Sequence, residues 1–414
     1  MDMKEYSRLI KEYSRDAYNL LKREPAGLLK HPFIVPGKAY SSELWDWDSW
    51  LTDIAIRQIM LDNEDNGEGF YPYERGSVLN FLDYKPASGR MSIMISSVSG
   101  DSLLASSKNC HKPCLIQHIA FIVKETSDSS WIKDRIPELE AFIEGYRKNS
   151  KQMETGLYFW QDDIAVGVDN DPAVFYRPDK STASIYLNCL MYKELLAFGY
   201  LHRTLGNAVR AEEYEAEAAA LADAINEYLY DERLGMYYSA DINLNPIEPD
   251  KLLHSGMPRH WNSLILKIDS WPGFMALWAG VAPKDRAERV IKENMLSERT
   301  FMSEAGIRSL SPMEKTYCIV KSGNPSCWLG PVWIISNYMC FRALLKYGYE
   351  REARELAEKT VALLGEDIKK CGEMHEYYHP DTKEGVNNPG FQSWNLLVNN
   401  ILAYLEGRRV IEEF

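Results

Sequence analysis

Residues 182–230 read TASIYLNCLMYKELLAFGYLHRTLGNAVRAEEYEAEAAALADAINEYLY. Apolar side chains recur in this stretch at the three-and-four spacing of an α-helix, both before and after the break at Gly206 and Asn207. The stretch therefore predicts two consecutive helices that pack as a pair.

The same period returns along most of the chain, which has 414 residues. The first helix places its apolar residues on one face, at Tyr6, Leu9, Ile10, Tyr13, Ala17, Leu20 and Leu21. About eleven helices are predicted, the others at roughly 47–63, 113–125, 130–149, 182–205, 207–230, 271–280, 284–293, 331–347, 350–365 and 390–406. No Pro/Gly/Ser-rich linker divides the sequence, so we expect one all-α domain over residues 1–414, with paired helices closed into a toroid.

One long interruption separates two of these helices. Residues 64–111 are rich in Gly, Ser and Tyr, and segments 78–82 and 91–95 within them predict a short β-hairpin with its turn at 85–89. A long insertion of this kind in a compact domain is often functional. We therefore interpret residues 64–111 as a lid.

Composition and charge disfavour several classes of protein. Hydrophobic residues make up 45% of the chain and charged residues 26%, which is typical of a globular protein with a large core. A formal charge of -13 without a Lys/Arg-rich run disfavours nucleic acid as a partner. The lack of a long apolar stretch disfavours a membrane span and predicts a cytosolic protein. Whether the chain forms a homo-oligomer stays open at this point.

The cysteines number seven and are mostly isolated. Cys110 and Cys114 are the close pair, and a four-ligand zinc site would need a second pair. We expect reduced thiols, and no metal ion or cofactor.

The segment Glu43-Leu44-Trp45-Asp46-Trp47-Asp48-Ser49-Trp50 places aromatic rings and carboxylates together at the start of the second helix. Trp rings offer a flat apolar surface to a sugar ring, and Asp side chains accept hydrogen bonds from its hydroxyls. The alternative is a helix N-terminus that uses Asp for capping and buries its tryptophans. The density of Trp and Asp favours a sugar pocket.

Four acidic residues lie close together in the loop that leads towards Ser181, at Asp162, Asp163, Asp169 and Asp171. Crowded carboxylates in an aromatic pocket have raised pKa values and can hold a proton near neutral pH. The regular frame of a calcium-binding loop is absent. The loop is thus a candidate source of a general acid, and a solvated acidic turn is the alternative.

A third segment, Glu373 to Pro380, places Glu376 among histidines and tyrosines. A carboxylate oriented by Tyr hydroxyls can polarise a water molecule as a general base. The alternative is metal binding by Glu376 with His375 and His379. Pro380 and the two tyrosines argue against the helix that would align those histidines.

Five sets of residues form the most specific motifs of the chain: Trp45-Asp46-Trp47-Asp48-Ser49, Gly167-Val168-Asp169-Asn170-Asp171-Pro172, Gly330-Pro331-Val332-Trp333, Asn337-Tyr338, and Glu376-Tyr377-Tyr378-His379-Pro380 with Pro389-Gly390-Phe391. Together they resemble glycoside hydrolase family 63, in particular its short bacterial and plant members that hydrolyse mannosylglycerate and glucosylglycerate. Trehalases are more distant relatives. The resemblance covers nearly the whole chain and implies an (α/α)6 barrel.

The resemblance implies that Asp169 is the general acid and Glu376 the general base of an inverting glycosidase. Inversion needs room for a water molecule, and hence carboxyl groups roughly 6.5–9.5 Å apart. Asp48 is a further candidate to hold that water. The candidates for binding the carbohydrate substrate are Tyr40, Trp45, Trp47, Asp48, Gln117, Arg177, Trp328, Trp333 and Tyr377.

One motif departs from the family. Trp328-Leu329-Gly330-Pro331 stands where many relatives have Trp-Arg-Gly-Pro, so a cation beside the sugar site is lost. A glycerate leaving group carries a carboxylate and needs a cation or a cluster of hydroxyls. Candidates in loops are Tyr84, Arg90, Arg177, Arg308 and Lys315.

The expected substrate is therefore 2-O-α-glucosylglycerate or mannosylglycerate, with trehalose or a small α-glucoside as the alternative. Two other classes of protein stay open. A sugar epimerase on a similar toroid would transfer protons with paired histidines, and a sugar-binding protein would use its carboxylates only to recognise hydroxyls.

Overall fold

Helices dominate the computed structural model, which describes residues 3–84, 89–100, 107–244, 262–319 and 325–414. Twelve α-helices lie in these ranges: α1 (Met3–Leu21), α2 (Asp46–Asp62), α3 (Tyr71–Asp83), α4 (Leu115–Thr126), α5 (Ile136–Ser150), α6 (Ile185–Thr204), α7 (Ala208–Tyr228), α8 (Met275–Ala279), α9 (Lys284–Arg289), α10 (Ile334–Lys346), α11 (Glu350–Cys371) and α12 (Val398–Leu405). Three further helical turns adjoin α8, α9 and α12, at Trp271–Phe274, Val290–Met295 and Ser393–Leu397. The sequence predicts an all-α fold, and the structure is mostly helical with short strands.

The even-numbered helices contact one another in order. Helix α2 contacts α4, α4 contacts α6, α6 contacts α8, α8 contacts α10, α10 contacts α12, and α12 contacts α2. Helix α4 illustrates why these helices contact one another. All its residues from Leu115 to Val123 are buried, and a helix without a polar face must be surrounded by protein. Among the odd-numbered helices, α1 packs on α11, α7 on α6 and α11 on α10.

The break between α6 and α7 lies at Gly206 and Asn207, as predicted. Gly206 has a φ of +84°, a left-handed conformation that suits glycine at a helix end. The Asn207 side chain then caps α7 by accepting a 3.3 Å hydrogen bond from the backbone N–H of Arg210. The two helices consequently fold back on each other as a pair.

Short strands connect the helices: β1 (Lys22–Arg23), β2 (Phe33–Ile34), β3 (Glu43–Trp45), β4 (Met94–Ser96), β5 (Thr182–Ala183), β6 (Tyr230–Asp231), β7 (Met236–Tyr237), β8 (Ser239–Asp241) and β9 (Leu264–Leu266). The antiparallel pairs are β1 with β2, β3 with β4, β6 with β7, and β8 with both β5 and β9. The β3–β4 pair, in which Trp45 lies opposite Met94, fixes the entry to α2.

The predicted hairpin is wrong. Residues 78–82 belong to α3, while β4 pairs with β3 instead. Helix α3 packs against both β2 and α4, so its apolar residues are buried on several sides and show no helical period. It also buries Glu74, which pairs with Arg57 of α2. Most of the predicted turn, 85–89, lies outside the described residues, and the function of 64–111 as a lid stays a prediction.

Two further observations concern the whole chain. All seven cysteines carry free thiols, as the sequence predicts. Within the described ranges, each helix is too short or too polar to cross a lipid bilayer.

Candidate active site

A cavity opens where the chain enters several even-numbered helices. Segments that precede α2, α4, α6, α10 and α12 form its wall. The lining residues are Pro36, Tyr40, Trp45, Trp47, Asp48, Lys112, Ala165, Gly167, Asp169, Ser326, Trp328, Trp333, Glu376, Phe391 and Trp394.

Asp169 reaches the cavity from the long loop between α5 and α6. The neighbouring Asn170 accepts a 2.7 Å hydrogen bond from the backbone N–H of Trp328, which ties this loop to the segment before α10. Burial raises the pKa of Asp169, whereas hydrogen bonds from Ser326 and Gly167 and the charge of Lys112 oppose the rise. Asp169 therefore keeps its proton to a higher pH than a free aspartic acid does, as a proton donor must.

Glu376 lies in the segment after α11 and is 4% exposed. Its Oε2 accepts hydrogen bonds from the side-chain amides of Asn387 (2.8 Å) and Asn388 (2.6 Å), and its Oε1 accepts a 3.3 Å bond from the Tyr40 hydroxyl. Burial raises the pKa of Glu376 to about 6, and the charge of Asp169 adds to the rise, while the three donors oppose it. Glu376 is thus ionised and held in place at neutral pH.

Two aspartates at the start of α2 differ in their partners. Asp46 forms a buried ion pair with Lys112, whose Nζ lies 3.0 Å from Oδ1 and 3.2 Å from Oδ2. Asp48 lines the cavity and accepts a 2.7 Å hydrogen bond from the Ser393 hydroxyl. Burial raises the pKa of Asp48 to about 8, so this carboxyl holds a proton at neutral pH and can both donate to and accept from a hydroxyl or water.

Tryptophans form much of the wall. The rings of Trp328 and Trp333 stack with centroids 3.9 Å apart and an interplanar angle of 3°. The indole N–H of Trp333 donates a 2.8 Å hydrogen bond to the carbonyl of Cys327, which fixes this ring. Trp47 lies 6.1 Å from Trp328 and 4.8 Å from Trp394, measured between ring centroids. Such an aromatic wall suits the apolar face of a pyranose ring.

The site therefore brings two carboxyl groups with raised pKa values, those of Asp169 and Glu376, into one aromatic cavity. A pair of carboxyl groups, one of which donates a proton while the other accepts one, is the usual means of cleaving a glycosidic bond. In a comparison with known protein families, residues 43–394 match one family. Its description is mannosylglycerate hydrolase MGH1-like glycoside hydrolase domain. The chain belongs to this family.

Relatives of this MGH1-like domain include mannosylglycerate hydrolases. The mannosylglycerate hydrolase of Rubrobacter radiotolerans is 29% identical over 224 residues, which cover 53% of this chain and 43% of that protein. Mannosylglycerate hydrolase MGH1 of Selaginella moellendorffii is 25% identical over 230 residues, which cover 55% of this chain and 40% of that protein. The chain thus spans about two-fifths of the length of these relatives.

Solved structures show the same fold. The GH63 mannosylglycerate hydrolase of Thermus thermophilus in complex with glucose gives a TM-score of 0.67 at 18% identity, over 93% of this chain and 98% of that one. Neutral trehalase Nth1 of Saccharomyces cerevisiae gives 0.62 at 16% identity, over 89% of this chain and 73% of that one. The resemblance of the MGH1-like domain to glycoside hydrolase family 63 is confirmed.

Most of the residues predicted for the site of this MGH1-like domain lie together in the structure. Those that line the cavity are Tyr40, Trp45, Trp47, Asp48, Asp169, Trp328, Trp333 and Glu376. Of the other loop acids, Asp162 and Asp171 are buried outside the lining, where Asp162 accepts a 2.8 Å hydrogen bond from Asn109. The roles of the lining residues in catalysis or binding stay predictions.

Three predicted substrate-binding residues lie elsewhere. Gln117 is fully buried and donates to the carbonyls of Pro113 (2.6 Å) and Leu190 (3.1 Å), so it joins α4 to α6 instead of facing a sugar. Arg177 forms an ion pair with Asp241. Tyr377 is buried behind the cavity wall, 4.8 Å from Trp333 between ring centroids, and supports that ring. The structure does not place these side chains in contact with a ligand in this cavity.

The cations proposed for a glycerate group also lie outside the cavity lining. Arg90 donates to the carbonyls of Ser107 (2.6 Å) and Asn109 (3.1 Å). Arg308 donates a 2.6 Å bond to the carbonyl of Met302 and a 3.1 Å bond to Asp381. Tyr84 and Lys315 are likewise absent from the residues that form the wall. The cation that does line it, Lys112, was missed.

Sequence reasoning missed several other residues of the site: Ser326, Asn387, Asn388, Phe391, Ser393 and Trp394. Lys112 carried one usable signal, since it stands alone as a charge in the mostly apolar stretch that opens α4. The asparagines stand in the quoted motif before Pro389, but their spacing from Glu376 does not reveal that their amides turn back to it.

The structure does not bring His375, Glu376 and His379 together as the alternative metal site would require. The His375 ring lies 2.9 Å from Asp367, the Glu376 carboxylate faces the cavity, and the His379 ring accepts from backbone N–H groups at 381 and 382. No helix spans these residues, as Pro380 predicts. Asp367 also accepts bonds from the backbone N–H of His375 (3.0 Å) and the hydroxyl of Tyr378 (2.8 Å). This network fixes the backbone on both sides of Glu376.

Proposed function

We propose that this MGH1-like domain is an inverting α-glycoside hydrolase with Asp169 as general acid and Glu376 as general base. The observation that carries this proposal is that the two carboxyl groups line the same tryptophan-walled cavity, each in a different hydrogen-bonding environment. Glu376 accepts hydrogen bonds from three side chains, which favour its ionised form, whereas Asp169 accepts hydrogen bonds from Ser326 and Gly167.

The proposed reaction is a single displacement. Asp169 donates its proton to the glycosidic oxygen as the bond from that oxygen to the anomeric carbon breaks. Glu376 removes a proton from a water molecule, whose oxygen attacks the anomeric carbon from the opposite face. Asp48 would bind that water or a sugar hydroxyl. The carboxyl groups of Asp169 and Glu376 are expected to lie roughly 6.5–9.5 Å apart.

We also propose that the fold is an (α/α)6 toroid formed by one domain, with residues 64–111 as its lid. The closed order of contacts among α2, α4, α6, α8, α10 and α12 supports the toroid. In this arrangement, the cavity lies at the end of the toroid where the even-numbered helices begin. Seven free thiols support a reducing, cytosolic environment.

The proposed substrate is 2-O-α-glucosylglycerate or 2-O-α-mannosylglycerate. The family and the names of the relatives support this class. The sugar ring would stack on the tryptophan wall, with its anomeric carbon between the two carboxyl groups.

Substrates with different leaving groups can distinguish the roles of the two carboxyl groups. A dinitrophenyl α-glycoside releases a stable anion and needs little protonation, whereas a glycosylglycerate needs the acid. Asp169→Asn should therefore lower kcat/KM about 10²–10⁴-fold for the glycosylglycerate but much less for the activated glycoside. Glu376→Gln should impair both substrates strongly, because both need the base.

The matched control is Asp163→Asn in the same loop. Asp163 accepts a hydrogen bond from the backbone N–H of Tyr176 and lies outside the cavity lining. It should keep near wild-type activity on both substrates. Full activity of Asp169→Asn on glycosylglycerate would contradict the proposal.

A further inference from the structure

Lys112 is the positively charged residue among those that line the described cavity. Its side chain is 2% exposed, and its ammonium group bonds both oxygens of Asp46. The ammonium also lies 5.3 Å from the centre of the Trp47 ring. An ammonium has three N–H donors, and a single carboxylate does not satisfy all of them. Lys112 therefore retains donor capacity at the cavity wall.

Lys112 also lies against the turn that carries the proposed general acid. A Cβ atom placed on Gly167 would stand 2.8 Å from Cε of Lys112, so the lysine stem packs directly on the backbone two residues before Asp169. The charge of Lys112 acts on the Asp169 carboxyl as well. The ammonium is consequently close to the place where a glycosidic oxygen would receive its proton.

The chemistry of a 2-hydroxy acid glycoside brings its carboxylate to the same place. In such a glycoside, the carboxylate is bonded to the carbon that carries the glycosidic oxygen. An acid that reaches this oxygen therefore has the carboxylate of the leaving group beside it. A lysine ammonium next to the acid is a suitable partner, because a charged hydrogen bond is stronger than a neutral one.

We propose that Lys112 binds the carboxylate of the leaving group and thereby selects α-glycosides of 2-hydroxy acids over neutral glycosides. This inference rests on the proposed function, and it assigns the leaving-group specificity of the proposed hydrolase to Lys112. Asp46, which is outside the cavity lining, holds the ammonium in place. It also anchors the lysine backbone, whose N–H donates a 2.9 Å hydrogen bond to Asp46.

The charges of the cavity are compatible with an anionic leaving group. Asp46 is paired with Lys112, and Asp48 holds a proton at neutral pH because its pKa is raised to about 8. The ionised Glu376 would lie on the opposite face of the sugar from the leaving group. The reactive form of Asp169 is protonated. A bound carboxylate would raise the pKa of Asp169 further and so help it to keep its proton, while Lys112 limits this effect.

The test compares two substrates that differ only in charge: 2-O-α-D-mannosyl-D-glycerate and 2-O-α-D-mannosylglycerol, with the glucosyl pair in parallel. Lys112→Met should lower kcat/KM at least tenfold more for the glycerate than for the glycerol glycoside, mainly through KM. Lys112→Arg keeps the charge and should keep most of the preference. Equal losses on the charged and neutral substrates would overturn the proposal.

Removal of Lys112 leaves Asp46 as an unpaired buried charge and can prevent folding. The double variant Asp46→Asn/Lys112→Met removes both charges, and the same loss of preference is expected from it. If this variant keeps the wild-type preference for the charged substrate, the proposal is wrong.

Binding of D-glycerate and glycerol to the full chain gives a readout that does not need turnover. Tryptophan fluorescence should report D-glycerate binding that is at least tenfold tighter than that of glycerol and is lost in Lys112→Met. Unchanged D-glycerate binding in this variant would contradict the role of Lys112. If the wild-type chain binds D-glycerate through Lys112 but hydrolyses none of the glycosides, the hydrolase proposal fails while the carboxylate site stands.

Discussion

The side-chain amide of Asn388 donates a 2.6 Å hydrogen bond to Glu376 from a residue whose φ is +39°. Ser393, with a φ of +24°, bonds the second buried carboxyl, that of Asp48. Such conformations cost a non-glycine residue about 1–3 kcal/mol and tend to occur at functional sites. At both positions, the strained backbone directs a donor at a carboxyl group of the cavity.

Removal of the Asn388 amide should change the pH dependence of activity. This donor stabilises ionised Glu376, so Asn388→Ala should raise the pKa of Glu376 above about 6. The base is active when ionised, and hence the acidic limb of the kcat/KM profile should move to higher pH by about one pH unit. Asn388→Gly should show the same movement without backbone strain.

Asn149→Ala is the control for this experiment. Its amide donates a 2.8 Å hydrogen bond to the carbonyl of Gly145 on the exposed side of α5, away from the cavity. Its pH profile should match that of the wild type. An acidic limb that does not move in either Asn388 variant would show that this amide does not act on the base.

Two glycines with similar backbone conformations should respond differently to substitution. Gly167 (φ +96°) faces Lys112 and Trp47, whose nearest atoms would stand 2.8 Å and 3.2 Å from an added Cβ. Gly156 (φ +75°) has nothing within 4 Å of that position. Both Ala variants should lose about 1–2 kcal/mol of stability from the left-handed backbone, but only Gly167→Ala should also lower kcat/KM, by at least about tenfold.

Thermal unfolding and steady-state kinetics of the two glycine variants test this expectation. A Gly167→Ala variant that is destabilised but fully active would show that the turn tolerates displacement of Asp169.

Asp48→Asn should remove a pH-dependent loss of stability. The folded pKa of Asp48 is about 8, above the ordinary value of 3.8 for an aspartic acid. A group whose pKa is higher in the folded protein than in the unfolded chain stabilises the fold at pH values below the unfolded pKa. This stabilisation is lost as the pH rises towards the folded pKa. Between pH 4 and 8, as spanned by these two pKa values, the wild-type Tm should therefore fall more steeply than that of the variant.

Calorimetric scans at several pH values measure this difference. The Asn side chain keeps an oxygen that can accept the bond from Ser393, so a lost hydrogen bond does not obscure the result. Parallel Tm profiles for the two proteins would mean that Asp48 is not held in its protonated form.

The tryptophan wall can be tested with two Trp→Phe variants. Trp328 and Trp278 are each 1% exposed, but only Trp328 lines the cavity, while Trp278 donates a 3.0 Å hydrogen bond to Glu413. Both variants should lose about 1–3 kcal/mol of stability. Only Trp328→Phe should raise KM, by about tenfold, because a smaller ring offers less surface to the sugar. Equal KM values in the two variants would exclude a stacking role.

Much of the fold could be predicted from the sequence because it depends on local patterns. Helix α6, the break at Gly206 and helix α7 each follow from apolar spacing and capping chemistry. Helix α3 could not be predicted in this way, because buried Glu74 is compatible with its position only through Arg57, which belongs to another helix. A pattern within one segment does not contain such a partner.

The candidate site also combines residues that local sequence patterns reveal with residues that depend on distant partners. Trp47, Asp169 and Glu376 stand in motifs that can be recognised in the sequence. Lys112 reaches the cavity because Asp46, 66 positions earlier in the chain, holds its ammonium there. Gln117 has the right chemistry for a sugar ligand but is turned into the contact between α4 and α6. Side-chain direction in these cases depends on long-range packing.

Proton NMR of the first product is the most direct test of inversion by Asp169 and Glu376. Wild-type protein is mixed with 2-O-α-mannosylglycerate or 2-O-α-glucosylglycerate, and the anomeric signals are followed before mutarotation. Release of the β-anomer first, lost in both Asp169→Asn and Glu376→Gln, is the predicted result. Release of the α-anomer first would contradict the account, because it would require Glu376 to act on the sugar itself instead of on water.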